Sequence, residues 1–261
     1  MSADASVGPE GRAGLEDTLA RFASRGHVLA ALDFDGVLAP IVTDRDAARP
    51  LPEASRAVRR LVEAPGTSVA LVSGRTLADL VRLASPPDGV LLVASHGAEL
   101  GGVPLVLDDA RQARLDAVLA DLAAIVAAHP GTDLETKPAG GVLHTRQAER
   151  PVAAAAAEAV LCGPATRPGV HVMRGKEVVE LSVLDADKGT ALRTVADRLA
   201  VDAVLYIGDD VTDENAFAVL GPDDVTVKVG RGETLARWRV PDPAAVAVVL
   251  HELADLRGGG S

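Results

Sequence analysis

Cysteine is nearly missing from this chain. Cys162 stands alone among 261 residues, so no internal disulfide can staple the fold. A chain of this length does not need one, because it can bury one large hydrophobic core or two modest ones. Long apolar runs are also missing; the longest Ala/Val stretches are too short to cross a membrane or are broken by charge. Residues 1–14 lack the basic region and apolar stretch of a secretory leader. These absences lead us to expect a cytoplasmic protein that does not associate with membranes. Positive charge is scarce too. The net charge of −11 disfavours nonspecific binding to nucleic acid or an anionic surface, so no nucleic-acid partner is expected. An anionic small molecule would need a local cluster of cations or a metal. Aromatic residues make up only 2 %, and the lysines are just Lys137, Lys176, Lys188 and Lys228, every other basic residue being arginine. Lysine is a compact point charge and arginine a planar fork, so each lysine in such a chain invites a question.

What is present is an alternation of short apolar runs and helical patterns. Residues 28–32, 69–72, 90–94 and 203–207 read as buried strands, separated by segments with helical spacing. That order predicts an α/β fold with a parallel sheet. The rhythm changes near residue 100. A long helix over 110–128, an Ala-rich helix over 151–161 and short alternating stretches at 132–137, 141–146, 170–173 and 177–183 suggest a small antiparallel sheet with helices on one side. We therefore expect a core formed by 15–100 and 186–257, an inserted α+β domain over 101–185, a disordered tail over 1–14 and a flexible one over 258–261.

Chemistry-bearing residues gather at the ends of the predicted strands, where open α/β sheets bind ligands. Asp33-Phe34-Asp35-Gly36 follows the first strand directly. A carboxylate there can attack phosphorus and form an aspartyl-phosphate. A second one nearby can protonate the leaving alcohol and then activate water. The same four residues also suit a simple turn. Gly208-Asp209-Asp210-Val211-Thr212-Asp213-Glu214 crowds acids that repel one another unless something positive sits among them. Mg²⁺ takes oxygen ligands of this kind, which makes Asp209 a candidate ligand with Asp210 and Asp213 behind it. An acidic helix start is the other reading of that block. Ser73 and Lys188 would hold the equatorial oxygens of a transferring phosphoryl group. Taken singly, each is equally a cap or a surface residue.

Taken together, the residues resemble the haloacid dehalogenase superfamily. Asp33-Phe34-Asp35-Gly36 is similar to its first motif, Leu71-Val72-Ser73-Gly74 to its second, Lys188 to its third and Gly208-Asp209-Asp210 to its fourth. The long interval from Ser73 to Lys188 leaves room for a cap. Val37 stands where that motif usually has Thr. More narrowly, Leu32–Ile41, Val72–Arg75, Ser95-His96-Gly97-Ala98-Glu99, Asp187–Leu192 and Tyr206–Glu214 resemble the trehalose-6-phosphate phosphatase family. The resemblance implies a Rossmann-like core with an inserted cap of the C2 type, Mg²⁺ as cofactor and hydrolysis of a phosphoric monoester in trehalose biosynthesis. It implies Asp33 as nucleophile and metal ligand, and Asp35 as acid/base and, through its carbonyl, a metal ligand. Asp209 completes the ligand set, and Ser73 and Lys188 serve the phosphoryl group.

In the cap, Glu135-x-Lys137 with His144-x-Arg146, and Gly175-Lys176-x-x-x-Glu180, resemble the family's substrate-contact segments. The inserted segment carries no aromatic residue, so no stacking platform for a sugar is available from it. Hydrogen bonds from Lys137, His144, Lys176 and Glu180 would have to hold a disaccharide, with Arg146 nearby; such sites discriminate strongly. We also place Gly74, Arg75, His96 and Glu99 at the substrate, assign Lys228 no role, and expect a monomer. Another capped sugar-phosphate phosphatase, acting on sucrose 6-phosphate or mannosyl-3-phosphoglycerate, would share the core chemistry. A phospho-acceptor signalling domain would use similar acids but needs neither the insertion nor Asp35.

Overall fold

The computed structural model describes residues 9–101, 105–175 and 177–259. It divides into two compact units, Met1–Val103 with Asp187–Ser261, and Pro104–Ala186. The first unit opens with α1 (Pro9–Ala23), β1 (Val28–Leu32), α2 (Pro52–Glu63), β2 (Thr67–Val72), α3 (Leu77–Ala84), β3 (Leu91–Ala94) and β4 (Glu99–Leu100). The second contains α4 (Asp109–Ala128), β5 (Asp133–Lys137), β6 (Gly140–His144), α5 (Arg150–Cys162), β7 (His171–Gly175) and β8 (Val178–Ser182). The first unit is completed by α6 (Lys188–Leu199), β9 (Ala203–Gly208), α7 (Glu214–Val219), β10 (Val225–Val229), β11 (Trp238–Val240) and α8 (Pro243–Gly258).

The first unit is built on one sheet of order β11-β10-β9-β1-β2-β3-β4. Its pairings are parallel except β3 with β4. β1 shows why the apolar runs are continuous. Val28, Ala30 and Leu32 pack into a core with Leu19, Phe22, Leu61, Leu250 and Leu253. Leu29 and Ala31 face the opposite way, toward Leu192, Val195 and Phe217. Helices cover both faces, so both sides of each central strand must be apolar. Leu32 pairs with Leu71 on one side and with Ile207 on the other. Three parallel strands thus deliver Asp33, Ser73 and Asp209 to the same edge of the sheet.

The second unit has an antiparallel sheet of order β5-β6-β8-β7. Leu143, Val179 and Leu181 pack with Val118 and Leu122 of α4 and Ala156 and Val160 of α5. Both helices therefore lie against one sheet face, and alternation sends Glu135, Lys137, His144 and Glu180 to the other.

The tail expected to be disordered over 1–14 is corrected in part: α1 begins at Pro9, and residues 1–8 lie outside the described residues. Proline suits a first helical turn, and Leu15, Leu19 and Phe22 are buried, which anchors the helix to the core. Gly258, assigned to the flexible C-terminal tail, closes α8; Gly260 and Ser261 of that tail lie outside the described residues. The sequence pattern gave no sign of β4 or β11, which at two and three residues are too short to show a period.

At the end of the sheet away from Asp33, Arg257 of α8 stitches three segments together. Its guanidinium donates to the carbonyls of Ala23, Arg25, Gly26, Pro65 and Gly66 and to the hydroxyl of Thr67. Charged hydrogen bonds contribute roughly 1.5–3 kcal/mol each when buried, but here water can reach the freed carbonyls. Arg257→Ala is therefore expected to cost about 2 kcal/mol in total, read as a lower urea midpoint with the activity per folded molecule unchanged.

Candidate active site

Asp33 leaves β1 with its N–H on the Ile207 carbonyl, 3.0 Å. Its side chain is almost wholly buried, at 4 % exposure. Oδ1 accepts the Phe34 N–H at 2.8 Å and lies 3.2 Å from Lys188 Nζ. Gly36 follows with φ +74°, and a Cβ there would collide with the Asp209 carboxylate. The chain turns and the two loops approach because this position carries no side chain.

Lys188 is the first residue of α6, whose start is capped by Asp187; that carboxylate accepts the Gly189 and Thr190 N–H groups at 2.8 and 3.0 Å. The lysine is buried and donates to Asp213 Oδ1 at 2.7 Å. Asp213 is fully buried and takes four donors. Lys188 Nζ and the Tyr206 hydroxyl reach Oδ1, and the N–H groups of Asp209 and Asp210 reach Oδ2, all within 2.7–2.9 Å. Gly208 makes room for it, since a Cβ there would meet the Asp213 carboxylate.

Carboxylate oxygens of Asp33, Asp209 and Asp213 lie within 4.8 Å of one another. Burial pushes the Asp33 carboxyl well above the usual carboxylate range; Asp213, Asp209 and Asp35 push the same way and Lys188 opposes them. Burial, then Asp213, raises Asp209 to about 7. Burial alone would lower Lys188, but Asp213 and Asp33 outweigh it and hold the ammonium above its ordinary value. Burial likewise works against Asp213, yet Lys188, the Asp210 N–H and Tyr206 keep its carboxyl low. One group of acids is thus neutralised by the chain itself and another is not. Asp33 and Asp209 are the carboxyls whose charge, once ionised, the chain leaves unbalanced, and their hard oxygens fit a divalent cation. Asp213 is within reach of the same point, but its oxygens are already committed to four donors, so we assign it to the support of the site.

Asp35 is held elsewhere. Arg75 Nε and Nη2 grip its two oxygens at 2.6 and 2.7 Å, and Nη2 also donates to the Arg45 carbonyl. The guanidinium lies 5.5 Å from the Phe34 ring centroid. Arg75 is buried, and its Nη1 has no partner among the described residues. Ser73 is buried, with Oγ accepting the Arg75 N–H at 3.2 Å. The His96 ring lies against Gly74, where any Cβ would strike it. Glu99 Oε2 accepts the Ser95 hydroxyl at 2.6 Å and the Leu77 N–H at 3.3 Å, which ties it to the start of α3. Val37 is buried in the core among apolar residues, so the missing threonine hydroxyl is replaced by packing.

In the second unit, the expected sugar contacts share one sheet face and meet in pairs. Lys137 bonds Glu180 at 2.6 Å and His144 bonds Glu135 at 2.8 Å. Arg146 pairs with Glu177 at 3.1 Å on the surface. Lys176 lies outside the described residues.

Residues 31–244 match the family model for trehalose-phosphatase. The chain belongs to the trehalose-phosphatase family. It is 37 % identical over 238 residues to the trehalose-phosphate phosphatase of Mycobacterium marinum, covering 85 % of this chain and 60 % of that protein. It is 36 % identical over 242 residues to the bifunctional trehalose-6-phosphate synthase/phosphatase of Thermoproteus tenax, covering 89 % and 32 % respectively. The chain thus spans 60 % or less of the length of these curated relatives. The C-terminal domain of a trehalose-6-phosphate phosphatase from C. albicans superposes with a TM-score of 0.77 at 24 % identity, over 92 % of this chain and 96 % of that one, which shows the shared fold.

Within the trehalose-phosphatase fold, the parallel core with its inserted unit is that of haloacid dehalogenase phosphatases, which generally use a divalent metal, and the acidic cluster is present. No helix among the described residues is long and apolar enough to cross a membrane. Two residues at the site escaped the sequence reading. Tyr206 reads as a core strand residue, and nothing local marks its hydroxyl as a partner of Asp213. Lys228 had one signal, a charge inside the apolar run Val225–Val229. It is buried at the end of β10 and donates to the main-chain carbonyl of Asp209.

Proposed function

We propose that this chain is a Mg²⁺-dependent phosphatase that hydrolyses trehalose 6-phosphate through an aspartyl-phosphate on Asp33. The observation that carries the reading is the meeting of buried Asp33 with buried Lys188 and half-buried Asp209 at the strand ends of a family member. Asp33 and Asp209, with the Asp35 carbonyl, would hold the cation. When bound, it neutralises their surplus charge and that of the phosphoryl oxygens.

The chain's own groups do the rest. The Phe34 N–H and Lys188 orient the Asp33 carboxylate for attack on phosphorus. Lys188, the Ser73 hydroxyl and Arg75 Nη1 are donors for the equatorial oxygens. Asp35 protonates the leaving sugar oxygen and later takes a proton from the water that cleaves the acyl phosphate. To do so it must loosen the two bonds to Arg75. The polar sheet face of the second unit, with Lys137, His144 and Glu180, is the sugar-recognition surface of a cap. A reducing cytoplasm suits the exposed thiol of Cys162.

Phosphate release should be fastest on trehalose 6-phosphate and should stop with chelator. Equal rates on sucrose 6-phosphate or mannosyl-3-phosphoglycerate would reject the substrate, and activity that survives chelation would reject the cation. Glu180→Gln is expected to raise KM for the sugar phosphate about tenfold, with a smaller effect on a small aryl phosphate. Equal losses on both substrates would remove Glu180 from sugar recognition.

A further inference from the structure

Asp209 has an unusual backbone environment. Asp209 is half-buried, and in a loop beyond a strand end the main-chain polar groups normally find neighbouring backbone or water. Here both are side chains. The N–H of Asp209 is taken by Asp213 Oδ2 at 2.8 Å, and its carbonyl accepts from Lys228 Nζ. The two clamps differ in origin: Asp213 lies four residues on, in the same loop, and Lys228 comes from the neighbouring strand β10. The carboxylate is pressed against Gly36, on the loop that carries Asp33 and Asp35.

Lys228 reaches this place by strand alternation. Val225, Val227 and Val229 enter one core, so Thr226 and Lys228 face the other side of the sheet, and Lys228 pairs in register with Gly208. Thr226 accepts the Arg237 N–H, which leaves Lys228 as the residue of β10 directed to the Asp209 loop. Burying an ammonium is costly unless it is well paired, and a lysine stem is long enough to carry its charge out to water when nothing holds it. Lys228 is instead 4 % exposed.

We propose that Lys228 is a positioning residue for the cation site: it fixes the main-chain carbonyl of Asp209 and so aims that carboxylate at the point it shares with Asp33. The proposal rests on the reading of Asp209 as a cation ligand. It differs from a purely electrostatic role in sign. Removing a positive charge beside a cation site strengthens cation binding, whereas removing the clamp weakens it. Groups that orient metal ligands from behind are typically worth 10–100-fold in affinity or activity.

The test uses the purified chain after chelator treatment. Mn²⁺ is titrated in, free Mn²⁺ is followed by electron paramagnetic resonance, and the melting temperature, kcat and KM are measured alongside. Lys228→Met is expected to bind Mn²⁺ about tenfold more weakly. Its kcat at saturating Mg²⁺ should fall by at least as much, while KM changes less than about threefold. Unchanged or tighter Mn²⁺ binding by a folded Lys228→Met overturns the proposal. Should that variant not fold, Lys228→Gln carries the test, since it keeps an N–H donor that is one atom shorter and uncharged. It should weaken Mn²⁺ binding at least about threefold, and unchanged or tighter binding again overturns the proposal. A parent chain that binds no Mn²⁺ overturns the cation site itself, a failure distinct from that of Lys228.

Discussion

Asp33→Asn is expected to lower phosphate release by at least about a thousandfold and, at the same time, to make the chelated protein more stable than its parent. The first effect follows because an amide neither attacks phosphorus nor serves a cation as a carboxylate does. The second follows from the environment of the group. Burial, aided by Asp213, Asp209 and Asp35, raises the Asp33 carboxyl well above its unfolded value. A carboxyl raised on folding favours the folded state below its unfolded pKa. It loses that contribution as pH rises through the folded pKa. At neutral pH without metal the ionised form is therefore a burden, and Asn removes it while Lys188 keeps Asp213 as a partner. Thermal unfolding in chelator should show Asp33→Asn melting a few degrees above the parent at neutral pH, with the gap narrowing in acid. A variant with more than a few per cent of parental activity would remove Asp33 as nucleophile, and a lower melting point would contradict the electrostatic account.

Lys188→Met should be the most damaging single change to the fold of the site. Lys188 is the cation that serves both Asp33 and the fully buried Asp213. Breaking a buried pair by removing one partner costs about 3–5 kcal/mol, because the other charge is left without compensation. The pH dependence has a definite sign. Although burial works against it, Asp213 is held low in the folded protein, mainly by Lys188, so its stabilising contribution is present above the unfolded pKa and is lost as pH falls through the folded one. Without Lys188, burial dominates and the contribution reverses. The variant should lose stability most at neutral pH, recover part of it in mild acid, and show no measurable turnover. Denaturant unfolding at two pH values checks this. An equal loss at both would mean that Lys188 acts through packing and not through charge.

Much of the core was legible in the sequence. The apolar runs at 28–32, 69–72 and 203–207 are continuous because helices cover both faces of the sheet, and each run ends where its polar residue emerges. The strand pair bearing Glu135, Lys137 and His144 was legible for the same reason in reverse, since one covered face imposes alternation. What stayed hidden depends on partners distant in sequence. Asp213 is defined by donors from residues 188, 206, 209 and 210, and only the last two are its neighbours. The grip of Arg75 on Asp35 joins two motifs that look independent in sequence. The early start of α1 is masked by a polar, small-residue composition, although Leu15, Leu19 and Phe22 keep helical spacing in the sequence. Glu99 shows the converse: a family motif position suggests a sugar contact, while its carboxylate is tied to Ser95 and the start of α3.

Asp213 has a consequence for how the site comes into being. One carboxylate, sealed from water, joins the beginning of α6, the middle of β9 and the loop beyond it, and each of its oxygens holds two donors. Such a joint is costly to leave incomplete, because a donor lost from a fully buried carboxylate is not replaced by water. Assembly of the catalytic centre is therefore as cooperative as the folding of the unit that contains it. A partly ordered chain gains no fraction of a working site, and the acids that do the chemistry come into mutual range only with β9 paired beside β1.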